Sequence, residues 1–488
     1  MTVQTTWLVT ITFMALCGAV LAATGNLIIP LLGIVALLGG VLLIYTAVYF
    51  PFALAITFAA ASMFRIHEAI PSLGPLRLPL ILAAVTGISL LWHLGKGSLR
   101  PRWTPQLVWF VLFFGLVTLG VPLATSPSAA LAAWLDSFSK IFVMTLAVAW
   151  MVRHPLEFRT AARAIAVVGL IVALVALRNK VSGIELVEDG RVTVGRSYGS
   201  ILGDPNDLAF ILLPALGFSA SLAYSARARL ERLIFGLAAL LVLIAITYTR
   251  SRGGLVGCLA LGAVFAYTTM RSKSVATVAI LGLVVALYIG MGLSSRVTAS
   301  SVDGKLDESA AGRIAMWSIA IRMGIENPVI GIGIANFERQ AFKVSGKWKA
   351  VHNTWLSVLA ESGIVGLGLF LGMVISTIST LFAALRFLPL DSHTYRCMAL
   401  ALLSSFAGLC GAGSFLSHGF SWPIYVLIGL TAALKSAIGT PLTAQPLPRT
   451  KVHSPAETRG RVGSDAVASA PPKSTQIDIR PHRPSHQP

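Results

Sequence analysis

One histidine in this sequence, His352, lies at a position that suits acid–base chemistry. His352 opens the segment His352–Trp355, at the point where a basic stretch meets a long apolar run. An imidazole, with an ordinary pKa of about 6.5, suits a general base at neutral pH. Histidines at such boundaries more often serve as interfacial or hydrogen-bonded residues, so their neighbours decide the role. His67 and His418 compete for the same role, with weaker surroundings.

Two arginines lie one residue apart beside a pair of glycines. Arg250 and Arg252 belong to the segment Thr249–Gly254, between two apolar runs. Either arginine alone could extend toward lipid headgroups. Together they form a sharper pattern, because guanidinium groups bind phosphate oxygens through two parallel hydrogen bonds and glycine lets a bulky anion approach the backbone.

A third arginine falls on a predicted helix. The segment Ser309–Ile325 reads as helical, with Ser309 as its cap and Asn327–Pro328 as its stop. Arg313 and Trp317 are four residues apart and share one face. An amphipathic helix resting on the membrane surface is the alternative, and such a helix could still present Arg313 to a lipid-borne phosphate.

The residues that follow this helix favour an anionic partner. Residues 293–352 hold eight Lys and Arg against five Asp and Glu, and Arg339 belongs to the basic stretch before His352. Glu361 follows His352 by nine residues, about 2.5 helical turns, which puts it on the opposite face of a straight helix. It is therefore not an obvious partner for His352, but an ionisable group inside an apolar run indicates function.

The elements that position these residues are membrane helices. Of the 488 residues, 56% are hydrophobic and 12% are charged, whereas soluble domains have about 25% charged residues. About 12–14 apolar runs approach the roughly 20 residues of a bilayer-spanning helix. We predict an all-α polytopic membrane protein. Residues 27–64 hold two crossings, or one crossing and a re-entrant piece, and the run 354–385 is too long for one straight crossing, so that Gly363, Gly366 or Gly368 would break or tilt it.

The basic residues predict the orientation. Lys and Arg of short loops stay in the cytoplasm. The sequence has five basic loops, and each lies two membrane crossings after the one before it. These loops hold Lys96, Arg100 and Arg102; Arg153, Arg159 and Arg163; Arg227, Arg229 and Arg232; Arg271 and Lys273; and Arg386 and Arg396. Both termini are then cytoplasmic, and the loop 293–352 faces the periplasm or the outside of the cell. The net charge of +19 divides between these loops, the tail and the outer face.

Several classes of site are absent from the sequence. There is no phosphate-binding loop sequence of the Walker type, no His-Glu-x-x-His zinc site and no Asp-x-Asp pair on the predicted outer face. The four cysteines fall in apolar runs and predict no disulfide framework. We expect no metal, no cofactor and no nucleic-acid partner.

These landmarks together resemble the O-antigen ligase and O-antigen polymerase superfamily of bacterial inner-membrane glycosyltransferases. The resemblance covers residues 199–370, and its motifs keep the family's order around a large outer loop. They are Gly203–Ala209 at the start of a membrane helix, Thr249–Gly254, Gly312 and Arg313 with Trp317, Asn327–Phe337, and His352–Thr354 followed by Glu361–Gly363 and Gly366.

The resemblance implies a C-type glycosyltransferase fold and a glycan donor carried on undecaprenyl diphosphate. Transfer of the glycan to an acceptor hydroxyl on lipid A-core would serve lipopolysaccharide biosynthesis. By motif position, His352 would activate the acceptor, and Arg252 and Arg313, with Arg250 as the alternative to Arg252, would bind the diphosphate. Trp317, Asn353, Glu361 and Arg339 would support them. The transfer would invert the sugar carbon and use no metal.

Other functions remain open at this point. O-antigen or exopolysaccharide polymerases and protein O-oligosaccharyltransferases share the donor and differ in the acceptor. A lipid-linked glycan transporter would need ionisable groups deep in many helices, and a receptor or scaffold would tolerate the loss of His352. We divide the chain into N-terminal membrane helices (1–200), a ligase- or polymerase-like core (201–440) and a basic, Pro-rich cytoplasmic tail (441–488) whose composition predicts disorder.

Overall fold

The computed structural model describes residues 28–69, 78–290, 308–389 and 391–439. The first predicted membrane helix and the predicted tail lie outside these residues. The elements are α1 (Ile28–Tyr49), α2 (Pro51–Met63), α3 (Ile66–Ala69), α4 (Leu78–Gly95), α5 (Pro105–Leu123), α6 (Pro127–Ala133), α7 (Ser139–Met151), α8 (Pro155–Ser182), β1 (Leu186–Val187), β2 (Arg191–Val192), α9 (Pro205–Ser225), α10 (Arg229–Thr249), α11 (Arg252–Thr269), α12 (Lys273–Gly290), α13 (Glu308–Glu326), α14 (Phe337–Ser345), α15 (Thr354–Phe387), α16 (His393–Gly413) and α17 (Trp422–Ile438).

The prediction of an all-α polytopic membrane protein is confirmed. Within the described residues, ten helices are long and apolar enough to cross a bilayer, counting α6, the π turn Trp134–Phe138 and α7 as one. Residues Gly39–Tyr49 of α1 meet α2 at a bend of 119°, and this pair makes an eleventh if it is one span. The apolar helix α17 is shorter. Strands β1 and β2 pair as a small antiparallel hairpin.

The five basic loops lie together at one end of the bundle, which we call the basic end. There Arg102 donates to the carbonyl of Ser436 at 2.8 Å, and Arg159 and Arg163 both bind Glu231. The opposite end, called the site end, joins other loops: Asn353 Nδ2 donates to the Ser414 carbonyl at 3.1 Å. The alternation predicted from the sequence therefore corresponds to a real division of the loops between two ends.

Helix α15 is interrupted at Gly363, as its length predicted. Gly363 has φ 74° and ψ −176°, a conformation that is essentially confined to glycine. The break exposes backbone groups that a helix would satisfy internally, and the preceding loop pairs with them. Ile332 N donates to the Ala360 carbonyl at 2.9 Å and Gly333 N to the Glu361 carbonyl at 3.0 Å. These two hydrogen bonds join the outer loop to helix α15.

We expect Gly363→Ala to destabilise the protein by on the order of 1–3 kcal/mol, because a side chain cannot adopt this backbone conformation cheaply. A Cβ at this position would also stand 2.5 Å from the Pro328 carbonyl oxygen. The matched control is Gly368→Ala on the same helix, where a Cβ meets no atom within 4 Å. Thermal unfolding of the purified variants checks this, and an equal melting temperature for both would contradict it.

Two predicted boundaries need correction. Helix α13 begins at Glu308, so Ser309 lies inside its first turn and is not its cap. Helix α8 runs to Ser182, well beyond the predicted apolar run, and ends at Gly183, which has φ 69°. Apolar runs mark the lipid-facing length of a helix, and a polar extension such as Arg178–Ser182 leaves no hydropathy signal.

Candidate active site

A cavity of about 700 Å³ opens at the site end. Its walls come from the start of α9, from the loop and helix α14 before α15, from the start of α15 and from the loop between α16 and α17. These segments are far apart in the sequence and meet because α9, α15 and α16 pack side by side. Among the residues predicted for the site, His352, Glu361 and Arg339 line this cavity.

His352 is held in a fixed backbone position at the cavity wall. It has φ 52°, a left-handed conformation that is uncommon for residues other than glycine and is found at functional sites. The indole of Trp317 donates to the carbonyl of the preceding Val351 at 3.1 Å. Asn353, on the other side, caps α15 by accepting from Leu356 N at 3.1 Å. Both Trp317 and Asn353 therefore support His352 through the backbone.

The surroundings keep the imidazole of His352 neutral. Burial lowers the pKa of His352, and the positive charge of Arg313 lowers this pKa further, while Asp204, Asp207 and Glu338 oppose the shift. The net direction is below the ordinary value of 6.5. A neutral imidazole has a ring nitrogen that can accept a proton, as a general base requires.

Arg313 and Trp317 lie on the same side of α13, as their spacing predicted. The Trp317 indole reaches the backbone next to His352, and the Arg313 charge acts on the imidazole itself. Helix α13 packs on α15 through Met316, Ala320 and Met323, which are buried. The helix is therefore packed against the protein on this face, and Arg313 is half-buried next to the cavity rather than solvated.

Arg250 and Arg252 lie at a turn between α10 and α11, outside the cavity lining. Arg250 ends α10 with φ 48°, and Arg252 is the exposed first residue of α11. Between them, Ser251 accepts from Gly254 N at 3.1 Å and donates to Asn206 Oδ1 at 2.8 Å. Asn206 itself lines the cavity. The structure therefore joins this arginine turn to the cavity wall through one amide side chain.

Arg191, on strand β2, was not predicted for the site but contacts this turn. Its Nη2 donates to Asn206 Oδ1 at 2.9 Å, and its Nε donates to the Thr249 carbonyl at 2.9 Å. The only sequence signal was a basic residue on the predicted outer face, where the charge bias disfavours one.

Glu361 and Arg339 line the cavity in different ways. The Glu361 carboxylate is 8% exposed and accepts from Phe337 N at 3.3 Å, at the start of α14. It thus binds the loop backbone, which agrees with the prediction that it is not an orienting partner of His352. Arg339 lies on α14, is exposed and lines the cavity.

A second histidine shares the cavity with His352. His418 Nε2 lies 3.0 Å from Asp207 Oδ1, and its ring stacks on Phe210 with centroids 3.9 Å apart. The backbone N of His418 donates to Thr354 Oγ1 at 3.0 Å. Sequence reasoning gave His418 a minor role and gave Asp207 none. When Nε2 carries the proton it donates to the Asp207 carboxylate, and Nδ1 is then the ring nitrogen that can accept a hydrogen bond.

His67 belongs to a group of polar residues outside the cavity. It lies on α3, where Glu68 pairs with Arg65 and accepts from Ser200 Oγ at 2.6 Å. Burial lowers the pKa of His67, but His67 does not line the cavity. Its neighbours join α3 to the loop before α9, which is a structural role. Within the described ranges, no group of three His, Cys, Asp or Glu side chains is arranged to hold a metal ion.

Comparison with known proteins finds a family model that matches part of the chain. Residues 208–371 match a family model described as O-antigen ligase, close to the 199–370 expected from the motifs. No curated protein matches the chain. The matched segment contains Arg250, Arg252, Arg313 and His352 and ends before His418. Residues 208–371 of the chain are therefore similar to the O-antigen ligase superfamily, as the motifs predicted.

Proposed function

We propose that the protein transfers a glycan from undecaprenyl diphosphate to an acceptor hydroxyl of lipid A-core. The family match supports a ligase or a related polymerase. The observation that carries the proposal is His352, poised as a neutral base in a cavity where the Arg313 charge acts on it. An inverting transfer needs these two elements, a base for the acceptor and positive charge for the leaving diphosphate.

The proposed reaction begins with His352 accepting the proton of the acceptor hydroxyl. The acceptor oxygen then attacks the sugar carbon from the face opposite the diphosphate, and the bond between that carbon and the diphosphate oxygen breaks. The electron pair leaves with the diphosphate, and the proton on His352 passes to solvent. The products are the glycosylated acceptor, with inverted configuration, and undecaprenyl diphosphate.

Arginine supplies the positive charge in this proposal. The diphosphate gains negative charge as the bond breaks, and guanidinium groups that are already in place stabilise it without rearrangement. Arg313 acts next to His352. Arg252 or Arg250 acts from the turn that Asn206 joins to the cavity. Arg339, an exposed residue of the cavity lining, adds to the attraction of the anionic donor.

The remaining wall of the cavity suits sugar hydroxyls. Asp204 and Asp207 both line this wall. Asp207 pairs with His418, and Asp204 caps α9 by accepting from Asn206 N at 2.6 Å. Carboxylate oxygens accept hydrogen bonds from hydroxyls, and an imidazole nitrogen can do the same. We assign this wall to the glycan or to the acceptor, next to the arginine turn that Asn206 joins to it.

The proposed location is the bacterial inner membrane, with the cavity facing the periplasm. The five basic loops support this orientation, because they lie together at the opposite end and Lys and Arg of short loops stay in the cytoplasm. Both termini would then be cytoplasmic. Membrane lipids surround the helices, and the polyprenyl chain of the donor would lie among them.

A transporter is the weaker alternative. The described ionisable groups collect at the two ends of the bundle, and a pump or exchanger would need them along the path. Asp136 and Lys140 lie near an apolar run. Lys140 Nζ, from the start of α7, donates to the backbone carbonyl of Asp136 in the preceding π turn at 2.7 Å.

The acceptor decides between ligase and polymerase and can be tested directly. The purified full-length protein is reconstituted with a polyprenyl diphosphate glycan and, in turn, with lipid A-core, a free glycan repeat or a pilin-type protein. Product masses identify the acceptor, and added chelator tests metal independence. We expect product with lipid A-core, unchanged by chelator. Product only with the glycan repeat or the protein would replace the ligase with a polymerase or a protein O-glycosylating enzyme.

The pH dependence follows from the environment of His352. The base must be unprotonated, so activity is lost as the pH falls through the pKa of His352. Burial and Arg313 lower this pKa, so the acidic limb of kcat/KM should lie below the ordinary 6.5. A pH profile of initial transfer rates measures this limb. An inflection at or above 6.5 would contradict the assigned role of His352.

A further inference from the structure

A second cavity, of about 570 Å³, lies at the basic end of the bundle. It lies between the end of α9, the end of α11, the end of α15 and the start of α16, far from the candidate active site. Its volume falls within the range of small-molecule sites, about 300–1,000 Å³. Nothing in the proposed reaction uses it.

The walls of this cavity combine cationic and hydroxyl groups with apolar side chains. Arg386, His393 and Arg396 line it together with Ser225, Thr268 and Thr269, and the two threonine hydroxyls donate to carbonyls of α11. No carboxylate stands among the described residues of its lining. A cavity with this lining attracts an anion that offers several oxygens, and guanidinium donors suit phosphate.

Arg396 is fixed in its position by the end of α15. Its Nη1 donates to the carbonyls of Leu385 and Leu388, both at 2.9 Å. The two N–H groups of Nη1 are thereby engaged, and the guanidinium also carries donors on Nε and Nη2. Arg386, the next-to-last residue of α15, is exposed, and its guanidinium lies over the Phe387 ring, 5.4 Å from the ring centroid.

The apolar part of the cavity indicates a lipid rather than a free anion. Phe382, Leu385 and Leu400 also line it, on the side toward the middle of helices α15 and α16. Exposed Tyr224, Tyr267 and Phe387 surround the same end, and exposed aromatic residues mark the interface between headgroups and acyl chains. The polar groups thus lie at headgroup level, with apolar surface extending toward the acyl chains.

We infer that this cavity binds the phosphate headgroup of an anionic phospholipid. Arg386, His393 and Arg396 contact the phosphate, and Phe382 and Leu400 contact the first part of an acyl chain. Basic pockets between membrane helices at the cytoplasmic side are suited to anionic headgroups. The inference requires neither the proposed reaction nor the identity of its acceptor.

Lipid retention in native mass spectrometry tests the inference. Full-length protein in detergent is incubated with phosphatidylglycerol or with phosphatidylcholine, and bound lipid is counted. We expect the wild type to retain phosphatidylglycerol with an affinity about tenfold or more above that of the double variant Arg386→Gln/Arg396→Gln, since each charge-assisted bond is worth about 1.5–3 kcal/mol. Glutamine keeps an amide that can donate to the carbonyls at the end of α15.

Two further variants make the result specific. Arg227→Gln/Arg229→Gln removes the same charge from exposed positions at the same end, outside the cavity, and should keep the lipid. Thr268→Trp, an exposed lining position, fills the cavity without changing charge and should lose it. Equal losses in the two double variants, equal retention of phosphatidylcholine, or full displacement by inorganic phosphate would each overturn the inference.

Discussion

Replacing His352 with asparagine should lower glycan transfer by about 10²–10⁴-fold, the usual contribution of a positioned general base. Asparagine is chosen because it tolerates the left-handed conformation that His352 adopts at φ 52°. It keeps a polar side chain of similar reach but cannot accept a proton at neutral pH. Initial rates of product formation, with donor and acceptor both saturating, measure the loss in kcat.

The loss at His352 must be separated from damage to the fold. Asn353 and Trp317 hold the backbone on both sides of residue 352 through their own bonds, so the variant should unfold at the wild-type temperature and still bind the donor. His67→Asn is the matched control, because His67 lies at the same end but outside the cavity. Wild-type kcat in His352→Asn would exclude this residue as the base.

Replacing Arg313 with alanine should lower transfer by about 10²–10³-fold, the cost of removing one preorganised group that stabilises developing negative charge. Arg313→Lys should recover only part of this, because lysine keeps the charge and loses the planar pair of donors. Initial rates of transfer for the two variants measure these losses. The matched control is Arg322→Ala, on the same helix, where Arg322 is exposed and its Nε lies 3.9 Å from Glu326. That control should transfer glycan at the wild-type rate.

The Arg313 variant carries a second signature that a purely structural residue would lack. The Arg313 charge lowers the pKa of His352, so its removal raises this pKa. The acidic limb of the pH profile should therefore move to higher pH in Arg313→Ala and stay in place in Arg313→Lys. A slower Arg313→Ala enzyme with an unmoved acidic limb would mean that Arg313 does not act next to His352.

Local patterns in the sequence predicted the parts of the site that depend on one helix. The spacing of Arg313 and Trp317 is sufficient to place them on one side of α13, and the length of the run 354–385 required a break, which occurs at Gly363. The alternation of basic loops predicted which loops share an end. The first two predictions follow from helix geometry and bilayer thickness, and the third follows from the charge bias of membrane loops. None of the three depends on contacts between residues that are distant in the sequence.

The polar wall of the cavity depends on such distant contacts and could not be predicted. Asp207 and His418 are separated by 211 positions, and only the packing of α9 beside α16 brings them to 3.0 Å. The bond between Glu361 and the backbone of Phe337 likewise depends on how the outer loop folds back on α15. Arg191 reaches Asn206 from a hairpin of two-residue strands that leaves no hydropathy pattern.

The most direct test of the central claim follows both products of the transfer at once. Wild-type protein in sealed proteoliposomes receives a labelled polyprenyl diphosphate glycan and lipid A-core, and mass spectrometry measures the glycosylated acceptor and the released polyprenyl diphosphate over time. The account predicts that the two products appear together in equal amounts, and that neither appears with His352→Asn. Movement of the intact donor across the bilayer, with no glycosylated product from any acceptor, would contradict it.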